Sequence, residues 1–190
     1  MYTTWNQASL AALEDIFGHP CTAGTVEDLR TQLNALIDES LTPQPGDDRN
    51  VNAAWKNIGA TARNLTQTID FSKKIEFGSA YMHTIVTKKQ HDYGHENIAR
   101  FGRTGLLVRM HDKIARLENL LESQRTPENE SINDNIFDVI GYSCIAMMWE
   151  DGTFLLPLQS DTVVESKTVM ITERLSAGDI IAKAALSIHL

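Results

Sequence analysis

The sequence predicts an all-α fold and leaves room for a small hairpin near the C-terminus. Three observations carry that prediction. Val51, Ala54, Trp55, Ile58, Ala62, Leu65 and Ile69 follow one helical face over residues 51–69, about five turns. Leu106, Met110, Ile114, Leu117 and Leu121 do the same between about residues 104 and 122. From Phe137 to Trp149 the chain is apolar on every side of a helix, which marks a helix that is largely buried.

Taken in order, Leu10, Leu13, Ile16 and Phe17 predict a short first helix over about residues 9–17, stopped by Gly18, His19 and Pro20. Thr25 reads as the N-cap of a second helix, with Glu27 and Asp28 in its first turn. Its stripe of Val26, Leu29, Leu33, Leu36 and Ile37 reaches about Ser40. Residues 42–50, with Pro43, Pro45 and Gly46, are a solvated linker between an N-terminal helical hairpin (1–42) and a helical core (51–149). After a polar connection over 70–78, residues 80–88 are open between helix and extended chain, because Ile85, Val86 and Thr87 are β-branched. Glu150, Asp151 and Gly152 signal a turn, and residues 154–158 and 162–172 are the candidate strands of the hairpin. Ser176 then caps a last helix over 177–188, inside a C-terminal arm (153–190).

At 190 residues and 42% hydrophobic content the chain fits one domain with a proper core. A net charge of −8 argues against a partner with a nucleic-acid backbone, which calls for a basic patch. A small anionic ligand needs only a local cluster of cations. The apolar runs are too short to span a bilayer and the N-terminus lacks the regions of a signal peptide, so a cytoplasmic protein is expected. Cys21 and Cys144 have no metal-ligand spacing and read as reduced thiols, Cys144 in the core.

The chemistry concentrates in residues 88–142. Arg109, Asp112, Arg116 and Asn119 share one stripe of the 104–122 helix, with Lys113 at its boundary with the core face. His111, Glu118 and Glu122 point elsewhere. A solvated face with Asp112 paired to Arg109 or Arg116 explains that stripe about as well as a site does. The next helix is expected to begin near Asn129 as cap and to place Glu130, Asp134 and Asp138 on one face. Like charges at that spacing repel, and the buried continuation of the helix turns the acidic stripe toward the interior. Carboxylates on facing helices can make an oxygen cage for magnesium. The preceding HDYGHEN segment has Gly94 as its hinge and His91, Asp92, Tyr93 and Asn97 as exposed polar or stacking groups; its plainest reading is a polar loop.

Asp92, Tyr93, Gly94 and Asn97, then Arg109, Asp112, Lys113, Arg116, Leu117, Asn119 and Leu120, then Glu130, Ser131, Asp134, Asp138 and Tyr142 resemble the nucleotide-modification-associated domain proteins of phages and bacteria. Those are similar to the all-α nucleoside triphosphate pyrophosphohydrolases of the MazG type. The resemblance covers about residues 88–148. It implies a helical bundle that forms a homo-oligomer, binds magnesium (manganese is the alternative ion) and hydrolyses a nucleoside triphosphate to the monophosphate and pyrophosphate. Carried onto this chain, it implies Asp112, Glu130, Asp134 and Asp138 as metal ligands. It also implies Arg109, Lys113 and Arg116 as phosphate contacts, and Asp92, Tyr93 and Asn97 as base or sugar contacts. Activation of the attacking water falls to Asp134 or Glu130, and the helix spacing does not choose between them. The pattern departs from MazG enzymes proper, which pair an ExxE helix with an ExxD helix, because Glu118 and Glu122 are spaced by four.

Two further readings stay open. His91, His111, Asp112 and Asp138 follow an H…HD…D order that resembles HD-domain phosphohydrolases, whose products are triphosphate and nucleoside. Alternatively, the protein binds or sequesters a nucleotide without turnover.

Overall fold

A computed structural model describes residues 1–41, 51–68, 77–123 and 127–159. Every regular element among them is a helix, in the order α1 (Trp5–Gly18), α2 (Val26–Leu41), α3 (Val51–Thr68), α4 (Ser79–Tyr93), α5 (Glu96–Ala99), α6 (Gly102–Ser123) and α7 (Ile132–Glu150). The all-α prediction therefore holds. Among the described residues no helix is long and apolar enough to cross a membrane.

Local chemistry sets the helix ends. The first helix starts at Trp5 instead of near Ser9, because the Thr4 hydroxyl accepts a hydrogen bond from the Gln7 backbone N–H (3.4 Å) and Trp5 is wholly buried. In the turn before α2 the Thr25 hydroxyl accepts from the Asp28 N–H (3.1 Å). The Asp28 carboxylate accepts in return from the backbone N–H groups of Gly24 and Thr25 (3.0 and 2.9 Å). Residues 80–88, open in sequence, are helical. The three β-branched residues cost only a few tenths of a kcal/mol each, roughly, in helix propensity, and burying Met82, Val86 and Gln90 along one face of α4 outweighs that. Gly94, at φ +66°, stops the helix in a conformation that disfavours other residues.

The centre is α7 lying along α3, with α6 on the other flank of α7; α1 rests on α3, α4 and α7, and α2 on α3 and α6. Gly59 of α3 allows the closest approach, since a Cβ there would come 3.0 Å from the Ser143 Cβ and 3.1 Å from the Ile16 side chain. As expected, α7 is largely buried from Val139 to Met148, with Cys144 a free thiol whose Sγ lies 3.5 Å from the Ser9 carbonyl. Burial pushes that thiol's pKa up to about 12.

Residues 154–158 form no strand. Phe154 instead sinks into the core, and the chain returns to the start of α1, where Trp5 N–H donates to the Pro157 carbonyl (2.9 Å). The expected second strand (162–172), the last helix (177–188), the linker (42–50) and residues 69–76 lie outside the described residues.

Candidate functional site

Two sets of charges clamp α6 antiparallel to α7. At one end Arg103 binds Glu150 bidentately, its Nε donating over 2.7 Å. At the other end Lys113 and Arg116 reach Glu130, just before α7. Gly102 begins α6 at φ +52° against Trp149, where a Cβ would stand 2.7 Å from the indole Cζ2. Across α7, Gly141 lets α4 approach until a Cβ would lie 3.2 Å from Val86.

Between these helices and α5 opens a cavity of about 340 Å³, within the roughly 300–1,000 Å³ typical of small-molecule sites. Lys89, Arg109, Lys113, Glu130 and Asp138 make its charged wall, and Val86, Phe137, Gly141, Tyr142 and Ile145 its apolar wall. Tyr93, Gln90 and Asn97 complete the polar lining. Asp138, Gly141 and Ile145, on or beside the projected acidic stripe of α7, thus line the cavity.

The rest of that stripe does not form. The cap of α7 is Ser131, not Asn129: its hydroxyl accepts from the Asp134 N–H (3.1 Å), while the Asp134 carboxylate accepts from the Ser131 N–H (2.9 Å) and hydroxyl (2.8 Å). Asp134 is therefore held in a capping box and lies off the cavity wall. Glu130 precedes the helix and points back at α6. Only Asp138 (11% exposed side chain) meets the cavity from within α7 as an acid.

Lys113 Nζ sits between two carboxylates, 2.7 Å from Asp138 Oδ2 and 3.0 Å from Glu130 Oε2. Partial burial alone would lower the Lys113 pKa; the hydrogen bonds to Asp138 and Glu130, aided by their charges, outweigh it and hold the ammonium above the ordinary lysine value. Lys89 pairs with Asp138 as well. Arg116 donates to the Glu130 carboxylate (3.1 Å) and carbonyl (3.0 Å). Arg109 Nη2 donates to Asn97 Oδ1 (2.7 Å), so α5 orients the guanidinium toward the cavity it lines.

The predicted residues therefore divide. Tyr93, Asn97, Arg109, Lys113, Glu130 and Asp138 share the cavity, and Arg116 adjoins it through Glu130. Asp92 is exposed beside His91 (3.2 Å), and Asp112 is exposed with Arg109 and Arg116 turned to other partners, so neither lines the cavity. Among the described residues no three His, Cys, Asp or Glu side chains gather as a metal cluster. The HD-type set is likewise dispersed. His111 receives a bond from Arg30 (2.8 Å), which also grips Glu118, whereas Asp138 lies in the cavity.

Lys89, Gln90 and Tyr142 line the cavity without having been predicted as site residues. The usable signal was α4 itself: once 79–93 is helical, Ile85, Val86, Lys89, Gln90 and Tyr93 fall on one stripe.

Residues 89–149 match the model of a protein family described as nucleotide modification associated domain 1. The match spans about a third of the chain and contains every polar residue of the cavity wall, leaving only Ile85 and Val86 outside. No curated protein and no solved structure matches the chain.

Proposed function

We propose that the cavity binds a nucleoside triphosphate, with the phosphates on Lys89, Arg109 and Lys113 and the nucleoside against the apolar wall. The observation that carries this reading is the concentration of those cations beside tyrosine rings in one cavity. The chain as a whole carries a net charge of −8, so the cluster is not a by-product of a basic surface. Arg109, held by Asn97, presents a planar fork suited to phosphate oxygens, and Lys113 is a point charge that can follow them. Tyr93, exposed at the rim, is the ring available for stacking.

The donor set fits a magnesium ion carried by the nucleotide. Glu130 and Asp138 already converge on one cation, the Lys113 ammonium, and magnesium takes one or two carboxylates together with water and phosphate oxygens. Bound there, magnesium would supply neutralisation of phosphate charge. Asp112 and Asp134 are not in that set. Cleavage to the monophosphate and pyrophosphate is the catalytic part of the proposal, with Glu130 and Asp138 as the groups on the wall able to take a proton from the attacking water.

Titration calorimetry with NTPs and dNTPs plus magnesium tests binding, and separate assays for phosphate and pyrophosphate test turnover. Lys113→Met should weaken binding about 10- to 150-fold, the value of a hydrogen bond to a charged group, about 1.5–3 kcal/mol. A wild-type protein that binds no nucleotide would sink the whole reading. Binding without any product would remove hydrolysis and leave a sequestering protein.

A further inference from the structure

Gln90 lies on α4, one helical turn after Val86, and is one of the residues that line the cavity. It is only 5% exposed, and its Nε2 donor is buried without a hydrogen-bond partner. The other cavity groups with a fixed charge are engaged: Lys89 and Lys113 with Asp138, Lys113 with Glu130, and Arg109 with Asn97. Among the described residues, Gln90 is the one cavity-lining residue with a buried side-chain polar atom that lacks a partner. A native fold rarely keeps a desolvated amide donor unpaired, and where it does a ligand or an ordered water is the usual partner.

The surroundings select the kind of ligand atom. Val86 precedes Gln90 on the same face, and Phe137, Gly141 and Ile145 line the cavity from α7. A phosphate is served better by the ammonium and guanidinium groups than by a neutral amide among apolar side chains. A flat ring with a polar edge suits both features. A carboxamide offers a donor beside an acceptor, the complement of a nucleobase edge such as the amino group and ring nitrogen of adenine.

We propose that Gln90 is the base-reading residue of this cavity, its carboxamide pairing with the edge of a nucleobase seated on the apolar wall. The idea rests on the nucleotide reading above and adds which end of the ligand lies where. The adenine edge matches a glutamine carboxamide bidentately, so adenine nucleotides are expected to bind best.

Calorimetry should compare ATP, CTP, GTP and UTP with inorganic tripolyphosphate, which has the phosphates and no base. Gln90→Met, close in shape and unable to pair, should lose about 5- to 150-fold in affinity for the preferred nucleotide, the discrimination one bidentate base contact supplies. Its affinity for tripolyphosphate should not change. Gln90→Glu, which keeps an acceptor and loses the donor, should change the rank order of the bases, and it serves as the test if the Met variant does not fold. Equal losses for nucleotide and tripolyphosphate, or no loss for either, would overturn the role of Gln90 while leaving the phosphate site intact. Failure of wild-type protein to bind either ligand would instead overturn the cavity reading, and this proposal with it.

Discussion

Replacing Gly102 with alanine should destabilise the protein well beyond what a helix-end glycine usually costs. Its φ of +52° lies in the left-handed region, where an L side chain costs about 1–2 kcal/mol. The added methyl would also stand 2.7 Å from Trp149 Cζ2, a ring fixed between α6 and Phe154. Relieving such an overlap in a packed region costs about 1–3 kcal/mol more. The sum is about 2–5 kcal/mol, a drop in melting midpoint on the order of 10 °C for a chain of this size. Gly152 is the internal control, because its φ is +69° but a Cβ there would meet nothing within 4 Å. Gly152→Ala should therefore cost only the conformational part, about 1–2 kcal/mol. Urea unfolding followed by circular dichroism, with the slope checked for constancy, gives both values. Equal losses at the two glycines would refute the close approach of α6 to Trp149. They would also weaken the α6–α7 register that sets Lys113 against Asp138.

Two other expectations concern groups outside the cavity. Ser131→Ala and Asp134→Asn should each cost about 1 kcal/mol through the α7 cap and leave nucleotide affinity unchanged; a selective loss of affinity in Asp134→Asn would return that carboxylate to the site. The Glu118 carboxyl is held below its ordinary value of 4.5, first by hydrogen bonds from Arg30; burial opposes them, and the charges of Arg30 and His111 add lesser contributions to the lowering. Its folded pKa is depressed, so its stabilisation is complete above the unfolded value and disappears as pH falls through the folded one. The urea midpoint of the wild type should accordingly fall more steeply below pH 4.5 than that of Glu118→Gln. Superimposable acid limbs would show that the Arg30–Glu118 link between α2 and α6 does not contribute.

Much of the helical framework was legible because amphipathic periodicity is local. The stripes of α3 and α6 appear in the sequence, and Trp55, Ile58, Ala62 and Leu65 of α3 and Leu106, Met110, Ile114 and Leu117 of α6 are buried. Leu121, expected on the same core face, is exposed because it lies in the last turn of α6 beyond the packed part of the helix. The start of α7 was misplaced by a competition within a few residues: the spacing of Glu130, Asp134 and Asp138 favoured a cap at Asn129, whereas the Ser131–Asp134 reciprocal bonds favour Ser131. That single shift takes Glu130 off the helix and turns Asp134 into a structural group. The α4 stripe stayed hidden because the β-branched run at residues 85–87 suits helix and strand alike in isolation.

By itself, the sequence determined that α6 carries Arg109 and Lys113 beside a core face and that Asp138 lies on an inward side of a buried helix. Both follow from residue order and the 3.6-residue turn. Only the tertiary structure decided that Lys89 of α4 and Lys113 of α6 meet at Asp138, and that Glu130 joins them while Asp112 faces away. Those pairings depend on how three helices cross, which no single segment encodes. The unpartnered Gln90 amide belongs to the same class, since desolvation is a property of the packed helices around it and not of the residue.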